Sequence, residues 1–235
     1  MTSPTLETAV EAATTTAKTS APVTISSTTP PLTAPPLTAP PITVPPTGTP
    51  PVYRIDPTLY HGRPSDTTGR LPKEIRSYDL LDSLHIHYTR LDHDALPTIE
   101  ACREVDQLLD LEICKNLFLR NAQKTAFYLL LMPGGKKFRT AALSKQIGSA
   151  RLSFAEPEFM EKYLDITPGS VSILGLMNDK SHQVRLLIDR EVIENYEYFG
   201  CHPCINTSSV KFSTSDLLEK LLPALGHPCT LVDLP

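Results

Sequence analysis

The feature that most limits what this chain can fold into is its first 52 residues, which are dominated by proline and threonine. They contain 12 of the 23 prolines, no aromatic residue and only three charged residues, Glu7, Glu11 and Lys18. Such a composition cannot bury enough apolar surface to offset the chain entropy lost on folding. We therefore expect a disordered tail over residues 1–52, and a single domain with one core in the other 183 of the 235 residues.

Proline pairs recur every five residues between Pro30 and Pro51. Paired prolines favour the extended polyproline II conformation, so we interpret this part of the tail as a semi-rigid spacer. A ligand for a proline-binding domain and an O-glycosylated stalk are the alternatives. No apolar stretch reaches the roughly 20 residues of a membrane-spanning helix, and the N-terminus lacks the basic and apolar regions of a secretory signal. We expect the protein to be cytoplasmic.

Apolar periodicity from Leu71 onward predicts helices interleaved with strands. The predicted helices are Glu74–Leu84, a helix beginning at the N-cap Thr98, Thr140–Ile147, Pro157–Leu164 and Thr214–Leu222. The predicted strands are His85–Leu91, Glu112–Leu119, Ala126–Met132, Val171–Leu176, Gln183–Ile188, Glu197–Phe199, Ser208–Phe212 and Cys229–Val232. Because strand and helix do not alternate strictly, we expect an α/β domain over residues 71–235, with a mixed sheet wrapped by short helices and a linker over residues 53–70.

Basic residues are concentrated between Ile113 and Ala155, where eight lysines and arginines occur without any aspartate or glutamate. Outside this basic window, residues 53–235 carry 13 basic and 24 acidic groups. Such segregation concentrates positive potential in one region, which favours a phosphate-bearing partner. We predict that Lys136, Lys137 and Arg139 bind a nucleic-acid backbone. A solvated face whose acidic partners lie elsewhere in the fold is the alternative.

Cys201 and Cys204 form a C-x-x-C pair, with His227 and Cys229 near the end of the chain as further potential metal ligands. A thioredoxin-type pair begins a helix, whereas this pair precedes a predicted strand. The His-x-Cys spacing also differs from the paired spacings of structural zinc sites. We therefore expect five reduced thiols and no metal. A zinc site and a redox-active pair at these cysteines are the alternatives.

The motifs for nucleotide hydrolysis, dinucleotide binding and a serine nucleophile elbow are absent from the sequence. Five short blocks occur instead: Cys114–Arg120, Arg151–Ala155, Thr167–Ser172, Leu174–Asp179 and His202–Thr207. In this order they resemble the successive signatures of the prolyl-tRNA editing proteins of the YbaK/aminoacyl-tRNA deacylase superfamily. The resemblance covers about residues 71–234, and implies the fold of that superfamily.

The resemblance implies a hydrolase that deacylates mischarged prolyl tRNA in trans, most often alanyl-tRNA(Pro), without a metal or an organic cofactor. The implied catalytic positions are Lys115, Asn116 and Gly169. The implied substrate-binding positions are His202, Asn206, Ser153, Ser170, Asn178 and Asp179, and Lys136, Lys137 and Arg139 become tRNA contacts. Aminoacylated tRNA(Pro) is the implied partner, prolyl-tRNA synthetase is a second candidate partner, and neither a membrane nor DNA is expected.

The residue types suit this chemistry, because an aminoacyl ester is already activated toward attack by water. Positioning the water and stabilising the developing charge then suffice, and Lys115 is the candidate to anchor the terminal phosphate or the carbonyl. One position departs from the family pattern, since Ile173 stands where the glycine loop usually has proline. The alternatives are a cysteinyl-tRNA(Pro) deacylase and a tRNA-binding or synthetase-associated module without turnover.

Removing residues 1–52 should leave hydrolysis intact, because their composition offers neither a core nor catalytic side chains. A protein that begins at Tyr53 should keep the kcat/KM of the full chain on mischarged prolyl tRNA. A decrease of about tenfold or more, equivalent to about 1.4 kcal/mol in the activation barrier, would show that the tail takes part.

Overall fold

The computed structural model describes residues 53–96 and 99–235. The expected tail and the expected N-cap Thr98 lie outside the described residues. The described part has nine strands in two sheets, with short helices between them. The predicted α/β class is therefore confirmed, and the strands are divided between a mixed sheet and a second, antiparallel sheet.

The element bounds follow the sequence prediction for most of the chain. The strands are β1 (Tyr60–His61), β2 (Tyr88–Asp92), β3 (Lys115–Asn121), β4 (Phe127–Met132), β5 (Leu152–Phe154), β6 (Val184–Asp189), β7 (Tyr198–Cys201), β8 (Ser208–Ser213) and β9 (Cys229–Val232). The helices are α1 (Pro72–Ser83), α2 (Ile99–Leu109), α3 (Thr140–Gln146), α4 (Pro157–Leu164), a 3-10 helix (Ile173–Asn178), α5 (Arg190–Glu194), α6 (Thr214–Asp216) and α7 (Leu222–Leu225), with a π-helical stretch (Leu217–Leu221) between the last two.

The mixed sheet has the strand order β5-β3-β4-β6-β9. Strand β3 pairs antiparallel with β4 and β5, whereas β4, β6 and β9 run parallel. All six residues of β4 are buried, because both faces of this central strand are covered. Phe127, Leu129 and Leu131 contact the main core, and the residues between them contact a second core that includes Leu143 of α3.

The second sheet has the order β1-β2-β8-β7 and is antiparallel throughout. The main core contains Phe118 and Leu129 of the mixed sheet together with Phe199 and Phe212 of the second sheet. The two sheets therefore pack face to face. A third cluster joins Leu91 of β2 to α2, which covers the outer face of the second sheet.

Residues 53–70 differ from the expected linker, because they pack as part of the domain. Strand β1 pairs with β2, and Ile55 forms a bridge with His93. Arg70 donates to Asp92 over 2.6 Å. The sequence did not predict β1, because two residues are too few to show an alternating pattern.

The predicted strand over Val171–Leu176 is wrong, because this segment enters a 3-10 helix instead. A continuous apolar run does not by itself distinguish a buried strand from a buried helix. The Ser172 hydroxyl accepts from the amide of Leu174 and so caps the helix. A Cβ added at Gly175 would overlap Cδ1 of Ile166, so the turn packs closely. The short elements β5 and α5 were also not predicted. Among the described residues, no helix is both long enough and apolar enough to span a membrane.

Candidate active site

Two adjoining cavities share Ile113, Lys115 and His202 as lining residues. The smaller cavity, of about 260 Å³, is also lined by Asn116 and Gly169. The larger, of about 470 Å³, lies between residues of α2 and the turn formed by Gly134 and Gly135. The cavities therefore form one site, in which Lys115 and His202 belong to both compartments. Another cavity, of about 580 Å³, is lined by residues such as His87 and Lys211 and contains no residue that the resemblance implies.

Lys115 begins β3, and its half-buried ammonium group donates to the carbonyl oxygen of Lys136 over 2.7 Å. An ammonium group has three N–H donors, and this bond uses one. Strand pairing places Lys115 opposite Met132, just before the turn that carries Lys136. The two remaining donors are therefore available to a ligand in the cavities.

Lys136 holds this turn in place rather than presenting an open charge. Its ammonium group lies 2.9 Å from the buried carboxylate of Asp189 and 3.2 Å from that of Glu191. Burial lowers the pKa of Lys136, but the two carboxylates outweigh burial and raise the pKa above its ordinary value. The prediction that Lys136 is a tRNA contact is thus at odds with the structure, since its charge is already neutralised inside the domain.

The basic window is only partly available to a partner. Arg120 and Lys124 both bind Glu156, and the pKa of Glu156 is lowered to about 2, first by Arg120 and then by Lys124. Four exposed cations of the window have no ion pair with any described residue: Lys137, Arg139, Lys145 and Arg151. Lys137 and Arg139 therefore stay predicted phosphate contacts.

Asn116 orients the glycine loop. Its side-chain oxygen accepts from the amide of Ile173 over 3.0 Å, and its side-chain nitrogen donates to the carbonyl oxygen of Cys114. Both ends of the amide group are thus engaged within the protein, so we assign Asn116 a positioning role. The departure at Ile173 has a physical reason as well, because proline lacks the N–H that makes this bond.

The loop at Gly169 meets the loop that carries Asn206. Gly169 has φ of +89°, a conformation that favours glycine. A Cβ at this position would lie 3.4 Å from the side-chain nitrogen of Asn206. Ser170 is buried, and its hydroxyl donates to the carbonyl oxygen of Thr167, which closes the turn beneath the cavity residue Gly169.

Hydrogen bonds to backbone carbonyl oxygens fix the proton positions on His202 and His93. Nδ1 of His202 lies 2.9 Å from the carbonyl oxygen of Ser208, and Nε2 of His93 lies 3.0 Å from the hydroxyl of Ser209. The Nδ1 of His93 lies 2.8 Å from the carbonyl oxygen of Asp94. Since carbonyl oxygens only accept, both Nδ1 atoms carry protons in the neutral rings. His202 is left with Nε2 as an acceptor.

Both imidazoles are held neutral. Burial lowers the pKa of His93 and of His202, against partial opposition from the backbone carbonyls, and His93 lowers the pKa of His202 further. Neither His93 nor Ser209 was predicted from the sequence. The only signal is a histidine between two aspartates at the end of a strand, which is too common to indicate a site.

Five of the six implied substrate-binding residues, all except His202, do not line the two cavities. Asn178 donates to the carbonyl oxygen of Leu164 over 2.8 Å. Asp179 is buried and accepts from the amide of Val184 over 2.7 Å. Burial raises the pKa of Asp179, but hydrogen bonds, first that of Val184, outweigh burial and lower it. Ser153 faces Arg120, five residues along β3 from Lys115, which is about 17 Å at the usual rise of a strand.

The C-x-x-C cysteines are buried in the main core. Burial raises the pKa of both thiols, that of Cys204 to about 11 and that of Cys201 further still. Such thiols are protonated at neutral pH and are poor nucleophiles and metal ligands. No group of three or more potential ligands within metal-binding reach occurs among the residues that the structure describes.

Several known proteins are similar to this chain over much of its length. A family model described as the aminoacyl-tRNA editing domain matches residues 93–220. The prolyl-tRNA editing protein ProX of Acetoanaerobium sticklandii is 36% identical over 154 residues, which cover 66% of this chain and 93% of ProX. The prolyl-tRNA synthetase associated domain-containing protein 1 of Danio rerio is 28% identical over 162 residues, which cover 68% of this chain and 86% of the relative.

A solved structure assigned provisionally as a trans-editing enzyme for prolyl tRNA synthetase superposes with a TM-score of 0.52 at 16% identity. The superposition covers 70% of this chain and 99% of that one. A solved structure of a protein described as hypothetical gives a TM-score of 0.51, also at 16% identity, over 68% of this chain and 97% of that one. At this identity the two structures establish a shared fold.

Stability should fall as the pH is lowered through the ordinary histidine pKa of 6.5, because the folded-state pKa values of His93 and His202 lie below it. In that window the unfolded chain binds protons that the folded protein does not, so acid favours unfolding. The measurement is the urea midpoint at about pH 7.5 and about pH 5.5. His93→Gln should show a smaller pH dependence than the parent protein, and an equal dependence would contradict the assignment.

The hydrogen bond between Asn116 and Ile173 should be visible in a double-mutant cycle. Asn116→Leu should lower the free energy of unfolding by about 1–3 kcal/mol, since it leaves a buried amide unsatisfied. Ile173 is the first residue of the 3-10 helix, a position that tolerates proline. In the Ile173→Pro background the Asn116→Leu change should cost less, because the N–H is already absent. Strictly additive costs would show that the bond is not formed.

Proposed function

The chain belongs to the aminoacyl-tRNA editing domain family, and from this premise we propose that it deacylates mischarged prolyl tRNA in trans, with alanyl-tRNA(Pro) as its main substrate. The observation that carries the proposal is the position of Lys115, whose side chain lines both the small and the large cavity. An aminoacyl ester joins a small amino acid to a nucleoside. A cationic group between two compartments of unequal size suits such a substrate.

The smaller compartment is assigned to the amino acid. At about 260 Å³ it is below the range of about 300–1,000 Å³ that is usual for drug-sized ligands. Its lining includes apolar Ile113, Leu117 and Val171, so it suits the methyl group of alanine. The larger compartment, with Leu96 and Val105 in its wall, is assigned to the terminal adenosine.

Selectivity against the cognate amino acid follows from size. A synthetase pocket that accepts proline rejects a smaller side chain weakly, because each missing methylene is worth only about 1–3 kcal/mol. A second pocket that admits alanine and excludes proline by overlap removes the error. The hydrogen bond from Ile173 to Asn116 holds one wall of this pocket, so the compartment keeps its size without a proline in the loop.

The proposed hydrolysis is the direct attack of water on the ester carbonyl. His202 offers Nε2 as an acceptor for one water proton, and the substrate 2′-hydroxyl helps to orient the same water. The water oxygen bonds to the carbonyl carbon, and the developing oxyanion is stabilised by the N–H donors of Lys115. The ester C–O bond then breaks, the ribose oxygen takes up the proton that His202 accepted from water, and the products are the free amino acid and uncharged tRNA.

Lys115→Ala should lower the rate of deacylation by about 10²–10³, the size of effect seen when one preorganised oxyanion donor is lost. Lys115→Arg keeps the charge on a larger planar group and should restore only part of the rate. The measurement is single-turnover deacylation of alanyl-, cysteinyl- and prolyl-tRNA(Pro). As a matched control, Lys180→Ala removes another lysine, at a position outside both cavities, and should keep the parental rate.

Each outcome of the panel separates the proposal from its rivals. Faster hydrolysis of cysteinyl-tRNA(Pro) than of alanyl-tRNA(Pro) would correct the substrate while keeping the reaction. Tight binding without hydrolysis of any of the three would favour a synthetase-associated module, which the name of the Danio rerio relative suggests for that protein.

A further inference from the structure

An exposed phenylalanine stands at the edge of the mixed sheet, away from the two cavities. Phe154 is 57% exposed, the highest value among the large apolar residues of the described part. It ends β5, which pairs with β3 and forms the edge of the sheet. Its ring lies edge-on to Phe138, with ring centroids 6.2 Å apart. An aromatic ring exposed to water does not contribute the stabilising free energy that its burial would provide.

Phe154 lies on the same face of the mixed sheet as Lys115. It is the cross-strand partner of Leu119, and directly opposed residues point to the same face. Leu119 and Lys115 are four residues apart on β3, so their side chains share that face as well. Four residues of strand correspond to about 13 Å, a distance that a few nucleotides cover. Leu119 itself is buried in the second core, so the route from the proposed reaction centre to the aromatic ring runs over the segment that covers this face, residues 136–139.

The segment that links them is basic. Phe138 is flanked by Lys137 and Arg139, and Arg151 precedes β5. These three cations are exposed and form no ion pair with any residue in the described ranges. The same segment begins at Lys136, whose carbonyl oxygen holds the ammonium group of Lys115. A polyanion that leaves the larger cavity past Gly135 therefore meets Lys137 and Arg139 before it reaches Phe154.

We propose that Phe154 and Phe138, with Lys137, Arg139 and Arg151, form a stacking platform for the single-stranded 3′ end of the tRNA substrate. The proposal rests on the function proposed above, and it adds a binding site for the nucleotides that precede the terminal adenosine. Aromatic rings for base stacking combined with cations along the backbone are the usual design of sites for single-stranded nucleic acid. A duplex keeps its bases stacked inside and would present only phosphates to this surface.

The positive charge around the rings argues against a protein as the partner that binds this surface. Protein docking surfaces are depleted of charge at their centre and enriched in apolar contacts. Here a single exposed ring is bordered by cations without acidic partners among the described residues. The complementarity is to phosphate and to a flat base, which single-stranded RNA supplies together.

The test compares two uncharged RNA hairpins with the sequence of the acceptor stem, one with the single-stranded 3′ end and one blunt. Phe154→Ala should weaken binding of the overhanging hairpin about 5- to 150-fold, the range expected for losing one stacked base. It should leave binding of the blunt hairpin unchanged. Phe154→Tyr should bind like the parent, because the ring is kept. Tyr198→Ala is the matched control, since it removes an exposed ring from the second sheet.

Catalytic measurements locate the effect without depending on the hairpins. Phe154→Ala should lower kcat/KM on charged tRNA and leave hydrolysis of 3′-alanyl-adenosine, which lacks the preceding nucleotides, at the parental rate. Equal loss on both substrates, equal loss on both hairpins, or a parent protein that does not distinguish the hairpins would overturn the platform. Binding of uncharged RNA does not require turnover, so absence of deacylase activity in the parent would count against the proposed function alone.

Discussion

The pairing of β4 with β3 on one side and β6 on the other is the constraint on which the site depends. Because β3 is antiparallel and β6 parallel to β4, the start of β3 and the ends of β4 and β6 meet at one end of the sheet. Lys115, the turn after Met132, and Asp189 are thereby brought together. The ion pair between Lys136 and Asp189 then fixes the turn, and the turn fixes Lys115. The position of the ammonium group is a consequence of sheet topology.

The second sheet contributes the uncharged imidazoles of the site. Its β7–β8 connection carries His202 and Asn206, and the chain just after β2 carries His93. Burial of the two imidazoles lowers their pKa values. A neutral imidazole with a free acceptor nitrogen gives the site a proton acceptor, and the neighbouring lysine gives it a positive charge with N–H donors. Neither sheet alone provides both.

Much of the fold could be predicted from periodicity, and the failures share a cause. Helix α1 was predicted with good bounds, since apolar residues at helical spacing leave a regular pattern. Strand β9 was predicted with the same bounds as the structure shows, although three of its four residues are exposed. The segment at Ile173 was misassigned because it is apolar throughout and carries no period. Strand β1 was missed because two residues are too few for a pattern. Only pairing with β2 makes those residues a strand.

The sequence by itself determined the division into a proline-rich segment and a domain, the blocks that mark Lys115, Gly169, His202 and Asn206, and the segregation of basic residues. These are properties of composition and of short motifs, which need no knowledge of long-range contacts. Only the tertiary structure decided which basic residues keep an open charge, because the acids that neutralise Lys136 and Arg120 lie outside the basic window. It also decided that Asn116 positions the glycine loop, and that Phe154 shares a sheet face with Lys115. Ion pairing, burial and strand register join residues that are distant in the chain, and no local pattern encodes them.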